Sequence, residues 1–218
     1  MSILVKICGI NSAEAADAAV RAGADFGGLV FHPKSPRHLS LDTARALTER
    51  MRGRLQLVAL IADANDETIS AVTSAVRPDF LQLHGTESVA RVGEIRSRFG
   101  IPIIKAVAVA DVNDLSGAAA YEPVADMLLF DAKAPDGAAR PGGHGAAFDW
   151  QVLRGRKFAK PWLLAGGLTP ANVARAIDSA QAPGVDVSSG VETAPGVKSA
   201  ALIGEFISAA RGLAEARP

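Results

Sequence analysis

The sequence predicts an α/β protein, folded as a single (β/α)8 barrel that spans residues 1–218 around a parallel core of eight strands. Eight short apolar runs recur along the 218 residues, and most lack polar alternation, as expected for parallel strands buried on both faces. Alanine-rich helical stretches separate them, and eight β-then-α units fit the length of a compact TIM barrel. The alternative is a doubly wound sheet, which has fewer strands and a glycine-rich turn after its first strand.

The predicted strands are the apolar, β-rich runs themselves. In chain order they are Leu4–Ile7, Phe26–Phe31, Gln56–Ile61, Phe80–Leu83, Ile103–Val107, Met127–Phe130, Trp162–Ala165 and Val185–Val187. Several helical segments open with residues suited to cap a helix, namely Asn11 with Glu14 three residues later, Ser40, Asn65, and Thr169 ahead of Pro170. No linker-like run divides the chain, which favours one domain.

The composition excludes several classes of function. Apolar residues make up 49% of the chain and charged residues 21%, which is typical of a globular protein with a sizeable core. Twenty-three basic residues balance twenty-three acidic ones, so nucleic acid is not an expected partner. No apolar run suggests a signal peptide or a membrane helix. Because the one cysteine allows no intrachain disulfide, we expect a free thiol and a cytoplasmic location.

Two loops of small residues follow the last two predicted strands. Gly166 and Gly167 follow the seventh strand, and Ser188, Ser189 and Gly190 follow the eighth. A glycine amide can approach an anion closely, and the corresponding loops of β/α barrels frequently bind phosphate. Both loops lead into predicted helix starts, which also favour anions. The alternative is a pair of tight turns, but the pattern favours a phosphorylated small molecule as ligand.

Reactive groups of such barrels lie at the carboxyl ends of strands, which makes Cys8, His84 and Asp131 candidates. Cys8 is predicted to act as a base or nucleophile, with Lys6 supplying the positive charge that favours a thiolate. Its alternative is a small buried hydrophobe. Asp131 is predicted to donate a proton at the barrel mouth, the alternative being a helix cap or a partner for Lys133.

Three further features are candidates at the same end of the barrel. Arg37 lies in a loop stiffened by two prolines, and a guanidinium suits a carboxylate or a phosphate; a solvated basic loop is the alternative. His84 is predicted either to contact substrate or to make a structural hydrogen bond, and Lys105 lies within the fifth strand. The glycine-rich connection of residues 132–147 is interpreted as a lid or a surface insertion.

Taken together, these motifs resemble the phosphoribosylanthranilate isomerase family, β/α-barrel enzymes of tryptophan biosynthesis. The resemblance covers nearly the whole chain and is carried by Lys6–Ile10, Gly28–Arg37, Gln82–Gly85, Asp131, Gly142–Gly145, Phe148–Trp150, Ala165–Leu168 and Asp186–Glu192. The Lys-Ile-Cys-Gly opening combined with the Asp-Val-Ser-Ser-Gly-Val-Glu ending is highly specific. Asn11 and His144 depart from the family pattern, and both concern loop detail.

The resemblance implies an Amadori rearrangement of an aminoaldose phosphate that carries an anthranilate ring. Asp131 resembles the general acid that opens the furanose ring, and Cys8 the general base that removes the C2′ proton. The resemblance also implies that Arg37 binds the anthranilate carboxylate, that His84 contacts the substrate and that Asp186 supports the site. The phosphate would be bound by Gly166, Gly167, Ser188, Ser189 and Gly190. The reaction needs no cofactor or metal, and we expect a monomer or a homodimer.

Two other functions stay open at this point. The first is a related barrel isomerase of histidine biosynthesis, a family that resembles a two-aspartate arrangement with Asp where Cys8 stands. The second is a non-catalytic binder of a phosphorylated ligand, or a thiol-based redox sensor, which would need Cys8 but not Asp131. Loss of turnover in Asp131→Asn with ligand binding retained distinguishes an isomerase from a binder.

Overall fold

The computed structural model describes residues 2–133 and 148–212. Its eight barrel strands form one closed sheet in chain order, and every pair of neighbours is parallel. The strands are β1 (Leu4–Cys8), β2 (Phe26–Val30), β3 (Gln56–Ile61), β4 (Phe80–Leu83), β5 (Ile103–Val109), β6 (Met127–Ala132), β7 (Trp162–Leu164) and β8 (Gly184–Val187). The predicted (β/α)8 barrel is therefore confirmed, whereas a single domain over residues 1–218 stays a prediction.

Six α-helices and a small hairpin surround the barrel in the described ranges. The helices are α1 (Ala13–Ala22), α2 (Leu41–Met51), α3 (Asp66–Val76), α4 (Val89–Phe99), α5 (Val173–Ala180) and α6 (Ala200–Gly212). The connection after β5 contains a 3₁₀ helix, Val112–Tyr121, and Trp150–Leu153 forms another ahead of β7. After β8 the antiparallel strands β9 (Glu192–Ala194) and β10 (Val197–Lys198) form a hairpin that the sequence pattern did not predict.

Two of the predicted helix caps are confirmed and two are wrong. The side chains of Ser40 and Asn65 accept hydrogen bonds from the third residue after them, as N-caps do. Ser12, not Asn11, caps α1, because Asn11 instead donates its side-chain amide to the carbonyl of Gly196 in the hairpin. At α5 the N-cap residue is Asn172 rather than Thr169.

Alternation along the strands divides the apolar residues between two cores. In β1, Val5 and Ile7 belong to the cluster between the sheet and the helices, whereas Leu4 packs with the apolar residues of the barrel interior. The interior cluster takes alternate residues of other strands, such as Met127 and Leu129 of β6. Both faces of each strand are thus buried, which is why the strand sequences lack polar alternation.

Most of the predicted lid, residues 134–147 with His144 among them, lies outside the described residues. Within the part of the chain that the structure describes, no helix is long and apolar enough to cross a membrane.

Candidate active site

Cys8 and Asp131 both lie at the carboxyl rim of the barrel. Cys8 is the last residue of β1 and Asp131 the penultimate residue of β6, and these strands are three steps apart round the closed sheet. Asp131 comes two residues after Leu129, which lies in the barrel interior. Cys8 comes two residues after Lys6, whose ammonium contacts Asp186 of β8. Because strand side chains alternate, both side chains face the barrel lumen.

The Cys8 thiol is buried beside the ammonium of Lys6. A Cβ atom placed on Gly28 would lie 3.3 Å from Sγ of Cys8 and 3.4 Å from Nζ of Lys6, so both atoms border the same small space. Burial raises the pKa of the thiol; Lys6 and Lys198 oppose this, but the pKa stays above its ordinary value. Lys6 is therefore next to Cys8 as predicted, yet its charge does not outweigh burial.

Lys6 and Asp186 form an ion pair inside the barrel. Nζ of Lys6 lies 2.7 Å from Oδ1 of Asp186, and the lysine side chain is fully buried. Burial acts to lower the pKa of Lys6, but the charges of Asp186 and Cys8 outweigh it and the pKa is raised. Lys6 thus stays charged, and Asp186 supports it beneath the thiol.

The side chains of Gln82 and His84 lead from β4 to Asp131, with a hydrogen bond between the first two and an imidazole–carboxylate contact at the end. The Gln82 amide donates to Nδ1 of His84 over 2.8 Å, so the imidazole proton lies on Nε2, which faces Oδ2 of Asp131 at 3.2 Å. The second oxygen of Asp131 accepts from the amide of Ala132 at 2.9 Å. Sequence reasoning missed Gln82, although it lies in the Gln-Leu-His-Gly motif that contributes to the family resemblance.

Two lysines from the sequence analysis take other partners. Lys133 lies 3.8 Å from Asp114, so it is not paired with Asp131. The neighbours of Lys105 in β5 face the barrel interior, so Lys105 points to the other face of the sheet. There it forms a buried ion pair with Glu87 at 2.7 Å. Neither lysine is part of the group around Cys8 and Asp131.

Arg37 is buried and makes a two-pronged ion pair rather than lying in a solvated loop. Its Nε and one terminal nitrogen donate to the two oxygens of Glu192 over 2.6 and 2.8 Å, and its residue is only 4% exposed. Its aliphatic part lies against Gly9, since a Cβ at that glycine would be 2.5 Å from Cδ of Arg37. The guanidinium is thereby fixed close to the residue that follows Cys8.

Glu192 gathers a second cation, Lys198, whose Nζ lies 2.7 Å from Oε1 of the glutamate. Burial acts to raise the pKa of Glu192, but the hydrogen bonds and charges of Arg37 and Lys198 outweigh it and hold the pKa at about 2. Glu192 ends the Asp-Val-Ser-Ser-Gly-Val-Glu motif, yet its role was not assigned from sequence. Lys198 follows that motif and had no sequence signal of its own.

The glycines of the last two loops bring those loops into contact. Gly166 and Gly167 both have positive φ, 86° and 64°, which is accessible to glycine at little cost. A Cβ at Gly190 would lie 1.8 Å from the carbonyl oxygen of Leu168, so only a glycine lets the loop after β8 pass this close to the loop after β7. Ser189–Val191 forms a short 3₁₀ helix, where the sequence predicted a helix start over residues 188–191.

These features match a known family along almost the whole chain. A profile of N-(5'-phosphoribosyl)anthranilate (PRA) isomerase matches residues 5–209. The N-(5'-phosphoribosyl)anthranilate isomerase of Bradyrhizobium sp. (strain ORS 278) is 52% identical over 215 residues, which cover 99% of this chain and 98% of that protein. The chain belongs to the phosphoribosylanthranilate isomerase family.

Other members of the phosphoribosylanthranilate isomerase family agree in sequence and in structure. The relative from Rhodopseudomonas palustris (strain BisA53) is 53% identical over 211 residues, 97% of each chain. The crystal structure of the Thermotoga maritima isomerase superposes with a TM-score of 0.85 at 38% identity, covering 96% of this chain and 99% of that one. A further isomerase, determined in complex with reduced 1-(o-carboxyphenylamino)-1-deoxyribulose 5-phosphate, gives a TM-score of 0.82 at 36% identity and the same coverage.

Proposed function

We propose that this protein catalyses the Amadori rearrangement of N-(5-phosphoribosyl)anthranilate to 1-(2-carboxyphenylamino)-1-deoxyribulose 5-phosphate, a step of tryptophan biosynthesis. The observation that carries the proposal is the placement of Cys8 and Asp131 on one rim, facing one lumen from strands three steps apart. The rearrangement needs an acid and a base on the same sugar at the same time, and this arrangement supplies both.

Asp131 is the proposed general acid. In its protonated form it donates to the furanose ring oxygen, so that the ring opens and the anthranilate nitrogen forms an iminium with C1′. Nε2 of His84 lies 3.2 Å from Oδ2 of Asp131, and the Ala132 amide donates to Oδ1, so contacts on both oxygens position the carboxyl group. A positioned acid of this kind contributes about 10²–10⁴-fold to the rate.

Cys8 is the proposed general base. Its thiolate takes the proton from C2′, and the C2′–H electrons form the enolamine. The enolamine becomes the ketone when C1′ gains a proton and the C2′ hydroxyl loses one. The raised pKa of the thiol makes the thiolate a stronger base once it forms. The positive iminium adds to the charge of Lys6 and favours that ionisation.

The two ends of the substrate are held by separate groups. Arg37 binds the anthranilate carboxylate with the guanidinium N–H groups that Glu192 does not use. Backbone amides of Gly166, Gly167, Ser188, Ser189 and Gly190 bind the phosphate, and Asp186 supports the site through Lys6. Fixing both ends places C1′ and C2′ between acid and base, which lowers the entropic cost of the reaction.

We propose a cytoplasmic location and a monomer or homodimer, with a phosphorylated small molecule rather than nucleic acid as partner. One similar T. maritima structure is described as monomers obtained from a dimeric isomerase. The histidine-pathway isomerase and the non-catalytic binder are not favoured, because the family match spans residues 5–209.

The test supplies phosphoribosylanthranilate and follows the loss of its fluorescence. Wild-type protein should consume it, and Cys8→Ala and Asp131→Asn should each lose about 10²–10⁴-fold in rate. Asp42→Asn is the matched control, since this carboxylate is 92% exposed on α2 and should react as wild type. Failure of the wild-type protein to consume the compound, or near-normal turnover by Asp131→Asn, would refute the assignment.

A further inference from the structure

We propose that Lys198 is a positioning residue that joins the two ends of the substrate site, holding the phosphate loop through Ser188 and Arg37 through Glu192. This inference rests on the proposed function, because it takes the roles of the Ser188 loop and of Arg37 from there. Lys198 lies outside every motif that carries the family resemblance. The inference also assigns a role to the β9–β10 hairpin, which carries this lysine.

The contacts of Lys198 reach both ends. Its ammonium donates to the carbonyl and the hydroxyl of Ser188 over 2.9 and 3.3 Å, and to Oε1 of Glu192 over 2.7 Å. The same oxygen of Glu192 accepts from Nε of Arg37 over 2.6 Å. One unbroken chain of hydrogen bonds therefore runs from the loop after β8 to the loop after β2.

The hairpin keeps this chain in place. The amide of Gly196 donates to Oε2 of Glu192 over 3.1 Å, and Asn11 donates to the carbonyl of Gly196 over 2.7 Å. A Cβ at Gly196 would lie 2.7 Å from the carbonyl oxygen of Pro36, so the turn packs directly on the loop that carries Arg37. With four donors on its two oxygens, the Glu192 carboxylate has little freedom to move.

Among the residues that the structure describes, Arg37 and Lys198 pair with one and the same carboxylate, that of Glu192. The side chains of Lys198 and Glu192 are 0% and 3% exposed, and burial lowers the pKa of Lys198 although the charge of Glu192 opposes that shift. A buried charge is costly unless it is paired. An anionic ligand at this rim supplies a further partner, which fits a substrate that carries a carboxylate and a phosphate.

Lys198 has a close counterpart elsewhere in the barrel that serves as a control. Lys105 is also buried, pairs with a buried glutamate at 2.7 Å and donates to two backbone carbonyls. Removing either ammonium leaves a buried carboxylate with fewer partners, so the cost to folding is similar. Only Lys198, however, contacts the Ser188 loop and the partner of Arg37.

The experiment compares Lys198→Met, Lys198→Gln and Lys105→Met with wild type. Dissociation constants are measured for inorganic phosphate and for anthranilate, and KM and kcat for phosphoribosylanthranilate. Lys198→Met should weaken the binding of both probes. It should raise KM about 10–100-fold while kcat stays within about threefold, as expected when a contact that serves substrate and transition state equally is lost. Lys198→Gln, which keeps N–H donors, should fold even if the methionine variant does not and should recover part of the loss.

The outcomes separate this inference from the proposed function. Lys105→Met should keep wild-type affinity for inorganic phosphate. The inference is overturned if Lys105→Met lowers the affinity for phosphate as much as the Lys198 variants do. It is also overturned if the folded Lys198 variants bind both probes as tightly as wild type does. If wild-type protein binds the probes but does not convert phosphoribosylanthranilate, the proposed function fails instead.

Discussion

Nζ of Lys6 lies 2.7 Å from Oδ1 of Asp186, directly below the thiol of Cys8 on the interior face of the barrel. Burial raises the pKa of the thiol, the lysine lowers it and the aspartate raises it again. Because the net shift is upwards, the resting protein carries a thiol at neutral pH. The proposed base therefore gains its charge as pH rises or as the cationic intermediate forms.

Opposite shifts of the Cys8 pKa are expected when the two partners of the ion pair are removed in turn. Lys6→Met removes a nearby cation, so the thiol pKa should rise. Asp186→Asn frees Lys6 to pair with the thiolate, so the thiol pKa should fall. The pH dependence of Cys8 alkylation and of thiolate absorbance measures both, and shifts in the same direction would contradict the arrangement.

Gln82→Leu should impair the proposed acid without displacing it. Loss of the amide donor to Nδ1 frees His84 to move its proton away from Asp131, and kcat should fall about 10-fold, or ~1.4 kcal/mol. Thr48→Val is the matched control, because its buried hydroxyl has no partner among the described residues. Nitrogen chemical shifts of His84 report the tautomer, and an unchanged tautomer with unchanged kcat would remove Gln82 from the mechanism.

Arg37→Ala should separate the two ends of the site. The variant loses the guanidinium proposed for the anthranilate carboxylate, so affinity for phosphoribosylanthranilate should fall strongly while affinity for inorganic phosphate changes little. Calorimetry with each ligand measures the two affinities. An equal loss of both would show that Arg37 does not act on the carboxylate end alone.

Gly190→Ala should disrupt the contact between the last two loops. Its Cβ would lie 1.8 Å from the carbonyl oxygen of Leu168, so the backbone must shift and phosphate affinity should drop at least 10-fold, ~1.4 kcal/mol. Gly204→Ala in α6 is the control, because a Cβ there meets nothing within 4 Å. That helix substitution should stabilise the fold by about 0.5–1 kcal/mol, as thermal unfolding would measure.

Glu192 should contribute to stability in a way that acid removes. Its pKa is about 2 in the folded protein against about 4.3 in an unfolded chain, so its contribution is present above the unfolded value and is lost as pH falls through the folded one. That contribution is on the order of 3 kcal/mol. The difference in unfolding free energy between wild type and Glu192→Gln should therefore shrink from pH 6 towards pH 2. A constant difference would contradict the lowered pKa.

Local patterns were sufficient to predict the barrel and most of its rim. Runs such as Met127–Phe130 are apolar on both faces, which is a property of each segment alone, and the carboxyl-end rule then placed Cys8 and Asp131 on one rim. The predicted N-cap of α1 is wrong by one residue, because the side-chain amide of Asn11 donates a hydrogen bond to the carbonyl of Gly196, 185 residues away. Competition between a local and a distant partner is not visible in a local pattern.

The sequence by itself determined the strand order, the closed fold and the family, since these follow from periodicity and from motifs at fixed spacing. The tertiary structure decided the ionisation of Cys8, the pairing of Arg37 with Glu192 and the position of Lys198, which is six residues beyond that glutamate. The physical reason is that burial and charge act over a few ångströms through space. Lys6 and Asp186 become neighbours only when the last strand closes on the first.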